Sequence, residues 1–205
     1  GRSDVPPDDF QWSMDGMMQD ALAVANAVEA DRFHIIGESI GGTISLYTAL
    51  NAPERILSVT ALSTGHRGNY INHVGSWRET VEADGFDAWT ERMMEHRFYP
   101  GAVDEDVYDW FAETQANASP STTLALGELL MGQDLSGDLD KLNCPVLLIH
   151  PDSSPFLPVT MSAEIHSLLP NSEMMVIPHA KHAIACSHAT EGALAFMNFV
   201  SERVH

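Results

Sequence analysis

The pentapeptide Gly37-Glu38-Ser39-Ile40-Gly41 constrains the fold of this chain more than any other stretch. An apolar run at 33–36 precedes it, and a helix-like segment at 40–51 follows it. Gly-x-Ser-x-Gly between a strand and a helix is typical of a sharp turn with the serine at its tip. The serine backbone is strained in such a turn, so that the hydroxyl stands clear of the sheet. The sequence therefore predicts a strand–turn–helix unit that presents Ser39 as a candidate nucleophile.

The residues around Ser39 are expected to support this geometry. Gly37 and Gly41 have no Cβ, which lets the strand and the helix pass close to each other. The helix after Ser39 directs its free N–H groups and the positive end of its dipole at the serine hydroxyl. We expect the N–H of Ile40 to form one half of an oxyanion hole.

Composition indicates a soluble globular protein and disfavours several classes of partner. The 205 residues suit one domain or a domain with an insert, and 44% of them are hydrophobic, which is enough for a core. The formal net charge of −19 disfavours nucleic acid and anionic membrane surfaces as partners. No apolar run reaches the roughly 18 residues of a membrane span. Cys144 and Cys186 are too few for a disulfide scaffold, and a cytoplasmic location is expected.

Two parts of the chain alternate predicted strands with predicted helices, which implies a parallel sheet covered by helices. The predicted strands are 33–36, 56–62, 145–150 and 174–177, and the predicted helices are 13–30, 40–51, 161–169 and 190–204. Between the two parts the pattern is helical only. We expect four helices there, near 75–83, 86–98, 104–117 and 121–131. The division is therefore 1–65 for the first part of the core, 66–137 for a helical insert and 138–205 for the second part.

The chain resembles the α/β-hydrolase family along almost its whole length. The motif at 37–41 matches the family's nucleophile elbow, and Gly1-Arg2-Ser3-Asp4 is similar to the end of its Gly-x-Gly-x-Ser loop. The strand from Cys144 leads to the family's catalytic acid, and His182 lies where the family has its catalytic histidine. The insert is similar to the family's cap. Trp77-Arg78 and Phe98 weakly resemble the 3-oxoadipate enol-lactonase branch.

The resemblance implies that strands are missing before Gly1. The family begins with four strands and a helix, which include the neighbour of the strand at 33–36 and the loop that gives the second oxyanion N–H. We expect this chain to be the C-terminal part of a longer protein whose remainder is cleaved or forms a separate chain. A homodimer is left open.

The acid position also departs from the family pattern. The family loop reads Gly-x-x-Asp-x-x-x-Pro, whereas this chain has Pro151-Asp152-Ser153-Ser154-Pro155-Phe156-Leu157-Pro158. Alignment on Pro158 places Ser154 at the aspartate position, and Asp152 lies two residues earlier. Asp152 is either the acid in a reshaped loop or a solvated turn residue.

The resulting hypothesis is a serine hydrolase with no cofactor, acting on an ester, a lactone or a similar small acyl substrate. Ser39 is the nucleophile, His182 the base and Asp152 the group that orients it, in the chain order of this fold. A metal site built on His179, His182 and His188 is a weaker alternative.

Two further interpretations of the function remain. One is a binding or receptor-like protein on the same fold with weak or lost catalysis, and the other is a carbon–carbon bond hydrolase.

Other titratable residues have smaller expected roles. His66 and His73 open the insert and are candidates to face a pocket. His150 is expected to be a structural histidine, and Glu38 is expected to lie behind the site or face solvent rather than act as an acid.

Overall fold

A four-stranded parallel sheet forms the centre of the computed structural model, which describes residues 4–7 and 9–204. The strands are β1 (Phe33–Glu38), β2 (Ile56–Leu62), β3 (Val146–Pro151) and β4 (Ser172–Ile177), and they lie in the order β1-β2-β3-β4. All neighbouring strands pair in parallel. The parallel, helix-covered sheet predicted from the sequence is therefore confirmed. The resemblance drawn from Gly1-Arg2-Ser3 lies outside the described residues.

Nine α-helices occur among the described residues: α1 (Met14–Ala27), α2 (Ile40–Asn51), α3 (Trp77–Asp84), α4 (Phe86–Arg97), α5 (Glu105–Ala116), α6 (Pro120–Met131), α7 (Val159–Leu168), α8 (Ile184–Ser187) and α9 (Ala189–Arg203). Ser13 caps α1 as expected, because its hydroxyl accepts a hydrogen bond from the N–H of Gly16. The short helix α8 was not predicted, since four residues are too few to show a helical period.

The core fills both faces of the sheet because successive side chains of a strand point to opposite sides. Val146 and Leu148 of β3 pack on one face with residues of α2 and α7. Leu147 and Ile149 pack on the other face, where Ile184 of α8 and Phe199 of α9 cover them. Every residue of β3 is buried, as expected for a strand covered on both sides.

The helices α3–α6 lie between β2 and β3 in the chain and pack over the carboxyl ends of the strands. Trp89, Met93 and Leu130 of this insert share a buried cluster with Phe156, which follows β3, and with Met161 of α7. Arg67 adds an ion pair to Glu164 of α7, in which its Nη2 donates to both carboxylate oxygens at 2.7 and 2.6 Å. The domain limits at 65 and 137 stay a prediction.

Strand β1 is an edge of the described sheet, and Ile36 on it is 52% exposed. Four other large apolar side chains are also exposed on α1, just after it and on α9: Val24, Val28, Leu194 and Met197. No helix among the described residues is both long enough and apolar enough to span a bilayer.

Candidate active site

The candidate site lies where the carboxyl ends of the four strands meet, which is the edge of an open parallel sheet that binds ligands. Each strand is followed by a side chain that contributes to the site. Ser39 follows β1, Ser63 follows β2, Ser154 follows β3 and His182 follows β4. Residues separated by more than a hundred positions thus meet at one place.

Ser39 has φ 57° and ψ −122°, a conformation that few residues with a side chain adopt. The strain costs roughly 1–3 kcal/mol and persists only where the surrounding structure enforces it. Here the N–H of Ser39 donates to the carbonyl of Leu62 at 2.9 Å, and α2 begins at the next residue. The strained turn predicted from the sequence is therefore present.

The glycines of the turn do not all have the predicted role. A Cβ on Gly37 would overlap the backbone carbonyl of Gly41, so glycine is required at 37. A Cβ on Gly41 itself would meet nothing within 4 Å, which corrects the expectation for that residue. Gly42 carries the second close approach, because a Cβ there would overlap the hydroxyl of Thr64.

His182 faces the serine from the loop after β4. Its Nε2 lies 2.9 Å from the Oγ of Ser39, and the residue is 2% exposed. The hydroxyl of Ser63 donates to the carbonyl of His182 at 2.7 Å, and the N–H of His182 donates to the carbonyl of His96 at 3.4 Å. The sheet and the insert therefore both fix the imidazole beside the hydroxyl.

Asp152 does not reach His182. Its carboxylate accepts hydrogen bonds from the N–H groups of His179 at 2.8 Å and of Ala180 at 3.2 Å, and from the hydroxyl of Ser153 at 2.7 Å. These bonds lower the pKa of Asp152, and they place its charge in the turn that leads to the histidine. The expectation that Asp152 orients the imidazole is corrected by this geometry.

Ser154 occupies the place of the acid. Its Oγ lies 3.1 Å from the Nδ1 of His182 and accepts a hydrogen bond from the N–H of Leu157 at 3.3 Å. For Nε2 to accept the proton of Ser39, the ring hydrogen of the neutral imidazole must be on Nδ1. The Nδ1–H group then donates a hydrogen bond to the Oγ of Ser154. A hydroxyl can orient the ring in this way, but it has no charge with which to stabilise an imidazolium.

The electrostatics of the site favour a neutral histidine. Burial lowers the pKa of His182 well below its usual value, and the positive charge of Arg97 lowers the pKa further, followed by His150 and His96. Glu38 accepts a hydrogen bond from the N–H of Ala185 at 2.8 Å, and burial raises the pKa of Glu38.

Ile40 is the first residue of α2, so its N–H has no acceptor within the helix. This N–H lies at the end of α2 that begins next to Ser39.

A small cavity of about 30 Å³ lies beside Ser39 and His182. Its other walls are mostly apolar and come from both the sheet and the insert: Thr43, Gly65, Ile71, Val74, Trp77, Arg97, Leu130, Phe156 and Leu157. A mostly apolar lining with a few polar groups is typical of a site for a small organic ligand.

The other described histidines lie outside this wall. His66 is fully buried with its Nε2 3.8 Å from Glu164, and His73 stacks on His96 at a centroid distance of 5.4 Å. His150 is buried, and its Nε2 lies 3.1 Å from the carbonyl of Leu157. His179 stacks on Tyr99 at 4.5 Å. Within residues 4–7 and 9–204, no group of three or more His, Cys, Asp or Glu side chains could hold a metal ion.

Comparison with known proteins decides the family. The model of the family described as "alpha/beta hydrolase fold" matches residues 1–189 of this chain. The chain belongs to the α/β-hydrolase fold family. A curated relative is RutD of Shigella flexneri, for which carbamate hydrolysis is suggested. It is 25% identical over 171 residues, which cover 77% of this chain and 61% of the relative. The chain thus spans about three fifths of the length of the curated relatives it matches.

Solved structures of other α/β hydrolases show the same fold. An enol-lactonase from Burkholderia xenovorans LB400 aligns with a TM-score of 0.88 at 16% identity, covering 98% of this chain and 77% of that chain. A hydrolase from Pseudomonas aeruginosa PA01 gives 0.86 at 20% identity, covering 98% and 76%. A thermophilic esterase from Thermogutta terrifontis gives 0.84 at 19% identity, covering 98% and 76%.

Three residues of this α/β-hydrolase site were not expected from the sequence. Ser63 holds the backbone of His182, Phe156 packs its ring 4.7 Å from the imidazole, and Arg97 brings a positive charge to the cavity. Nothing in the local sequence separates Arg97 from Arg92, which lies on the same helix and is exposed.

Proposed function

We propose that this chain carries the active site of a serine hydrolase that cleaves an ester, a lactone or a similar small acyl substrate through an acyl-enzyme. The observation that carries the proposal is the 2.9 Å contact between the Oγ of Ser39, on its strained turn, and the Nε2 of His182. A serine hydroxyl is a weak nucleophile until a neighbouring base accepts its proton, and this contact supplies the base.

In the proposed reaction His182 takes the proton of Ser39 as the Oγ attacks the acyl carbonyl carbon. The N–H of Ile40 donates to the oxyanion of the tetrahedral intermediate. The imidazolium then returns the proton to the leaving oxygen or nitrogen, and the bond to that atom breaks to leave the acyl-enzyme. A water molecule attacks in the second half with the same proton transfers, which releases the acid and restores Ser39. The helical insert acts as a cap that shapes the pocket, and no cofactor is required.

The relatives support an acyl substrate by their names. Carbamates, lactones and esters all present a carbonyl carbon to a nucleophile, and the matched proteins are named for reactions on them. The cavity beside Ser39 has mostly apolar walls with a few polar groups, a lining that suits such a molecule. A small-molecule substrate is thus the partner that we propose.

A second candidate function is a binding or receptor-like protein on this fold with weak catalysis. The contact of Ser154, rather than a carboxylate, with the Nδ1 of His182 favours it. Without a negative charge beside the ring, the imidazolium of the transition state loses its main support. Binding of a small molecule in the cavity would remain.

Labelling with an active-site-directed fluorophosphonate tests the proposed function. We expect stoichiometric phosphonylation at Ser39, detected by intact mass and peptide mapping, because His182 activates that hydroxyl alone. The Ser39→Ala variant should remain unlabelled, and Ser201→Ala is a control because Ser201 lies on α9, away from the cavity. Absence of labelling in folded wild-type protein would favour the binding protein.

The acid limb of activity should lie below pH 6.5, the usual pKa of histidine. Burial and Arg97 both lower the pKa of His182, so the base stays neutral as the pH falls through 6.5. We expect kcat/KM for a short-chain ester to stay constant from pH 8 to 6.5 and to fall only at lower pH. A midpoint above 6.5 would show that a carboxylate supports the ring. Circular dichroism at each pH separates this fall from unfolding.

A further inference from the structure

Arg97 is the one cation whose side chain lines the described cavity beside Ser39 and His182. It is the last residue of α4 in the helical insert. The other cavity walls are largely apolar, and Thr43 and Ser39 contribute hydroxyls. A guanidinium in this setting offers several N–H donors to one side of a ligand.

The guanidinium of Arg97 has no carboxylate partner among residues 4–7 and 9–204. Arg32 is exposed to solvent, and Arg55 donates to oxygens of Asn26, Ala30 and Asp31. Four other described arginines form ion pairs within 4 Å: Arg67 with Glu164, Arg78 with Glu128, Arg92 with Asp84 and Arg203 with Glu173. Within the described part of the chain Arg97 forms none, although the sequence holds 29 acidic residues. Its Nε is completely buried and also lacks a hydrogen-bond acceptor there. The Nε of Arg67 is in the same situation, but of these two arginines only Arg97 lines the cavity. A buried donor without an acceptor is costly, and a ligand anion in the cavity would supply the acceptor for Arg97.

Backbone and ring contacts hold Arg97 in place. Its carbonyl accepts a hydrogen bond from the N–H of Ala183 at 3.2 Å, which links α4 to the loop of His182. Its Cζ lies 5.9 Å from the ring centroids of both Phe111 and Phe156, and Phe156 packs against the imidazole. Cation–π contacts of this kind keep the charge between two rings and close to the reacting groups.

Glu38 balances the charge of Arg97 only in part. Its negative charge acts on Arg97 without an ion pair, while its Oε1 accepts the N–H of Ala185. Burial still lowers the pKa of Arg97 more than Glu38 raises it. An arginine stays protonated under these conditions, so the cavity keeps a positive charge that Glu38 compensates only in part.

This charge bears directly on the base. The pKa of His182 is lowered by Arg97, and the group at its Nδ1 is the hydroxyl of Ser154 rather than a carboxylate. The imidazolium that forms in the transition state is therefore opposed chiefly by Arg97, and no negative charge of the described residues supports it. A ligand anion on Arg97 would offset that opposition at the moment when His182 gains its proton.

We propose that the site takes acyl substrates that carry a carboxylate, and that Arg97 is the residue that binds this carboxylate. The proposal rests on the proposed function and names its substrate class. The substrate carboxylate pairs with the guanidinium, its apolar body packs on Trp77 and Phe156, and its acyl carbon reaches Ser39. The substrate itself thus brings the negative charge that Ser154 does not provide.

A matched pair of esters tests this assignment. The mono-p-nitrophenyl ester of glutaric acid carries a free carboxylate, and p-nitrophenyl hexanoate is its neutral counterpart of similar length. We expect wild-type kcat/KM to be about 10-fold or more higher for the charged ester, although the net charge of −19 repels anions at long range. Arg97→Gln should lower this ratio by about 10- to 100-fold, and Arg97→Lys should restore part of it.

Arg92→Gln is the matched control, because Arg92 lies on the same helix with its side chain 52% exposed. It should keep the wild-type ratio, and thermal unfolding checks that each variant is folded. An equal ratio in wild type and Arg97→Gln would overturn the proposal. Normal fluorophosphonate labelling of Ser39 with that result would leave the proposed function intact.

Binding gives a readout that needs no turnover. Glutarate titrated into the Ser39→Ala protein by calorimetry should bind, and the additional Arg97→Gln change should weaken its affinity by about 10-fold or more. Equal affinities, or no binding to folded Ser39→Ala protein, would refute the carboxylate site. Failure of labelling together with Arg97-dependent glutarate binding would instead refute only the hydrolase.

Discussion

Ser154→Asp is expected to raise kcat/KM for a neutral short-chain ester by about 10²- to 10⁴-fold, since removal of the acid from complete triads costs about that much. The serine Oγ already lies 3.1 Å from the Nδ1 of His182, so an aspartate at this position presents a carboxylate to the same hydrogen. The N–H of Leu157 lies 3.3 Å from the Oγ of Ser154, so it would donate a second hydrogen bond to the aspartate carboxylate. A negative charge there stabilises the imidazolium that forms in the transition state.

Two measurements separate this effect from a general change in charge. Ser153→Asp adds the same charge one residue earlier, where the side chain contacts Asp152 and not the imidazole, and it should leave the rate near that of wild type. The acid limb of Ser154→Asp should also move to higher pH, because a carboxylate raises the pKa of His182. Equal rates for both variants, or an unmoved acid limb, would show that residue 154 does not support the base.

Ser39→Ala is expected to lower kcat for the same ester by about 10²-fold in the natural chain and by about 10⁴-fold or more in the Ser154→Asp background. The two values differ because triad residues act as a unit, so the loss is smaller when the acid is already absent. The residual rate comes from substrate binding and from the oxyanion donor Ile40. Steady-state kinetics with a chromogenic ester measure both losses.

His166→Ala is the control for these kinetics. His166 lies on α7, and its ring contacts Ser172 at 2.8 Å rather than any residue of the site. It should therefore have wild-type kinetics. Full turnover by Ser39→Ala would rule out the acyl-enzyme, and equal losses in the two backgrounds would contradict the coupling between Ser39 and residue 154.

Many secondary structure elements were predictable because their signals are local. The sequence predicts helix 40–51 and strand 56–62 with the bounds that the structure shows, since Ser39 starts the first and Pro53 separates the two. Boundaries set by backbone or tertiary geometry were less predictable. Helix α1 ends at Ala27 rather than near 30, where Glu29 has a left-handed φ of 55°. Strand β4 begins at Ser172, two residues early, because that residue pairs with Val146.

The close approach of β1 and α2 shows the same limit at a finer scale. The motif contains Gly37 and Gly41, but the structure needs glycine at 37 and 42. The sequence shows which positions are glycine. Which of them must lack a Cβ depends on how the helix packs on Thr64 and on the strand.

The amino-acid sequence alone determined the parallel sheet, the strained turn at Ser39 and the order in which the serine and histidine occur. These depend on hydrophobic period, glycine spacing and strand order, which are properties of neighbouring residues. Only the tertiary structure decided that Ser154 rather than Asp152 contacts His182, and that Arg97 faces the cavity. The carboxylate of Asp152 is bound by N–H groups of the loop at 179–180, and Arg97 is brought to the cavity by the packing of α4. Such contacts join residues far apart in the chain, and no local pattern encodes them.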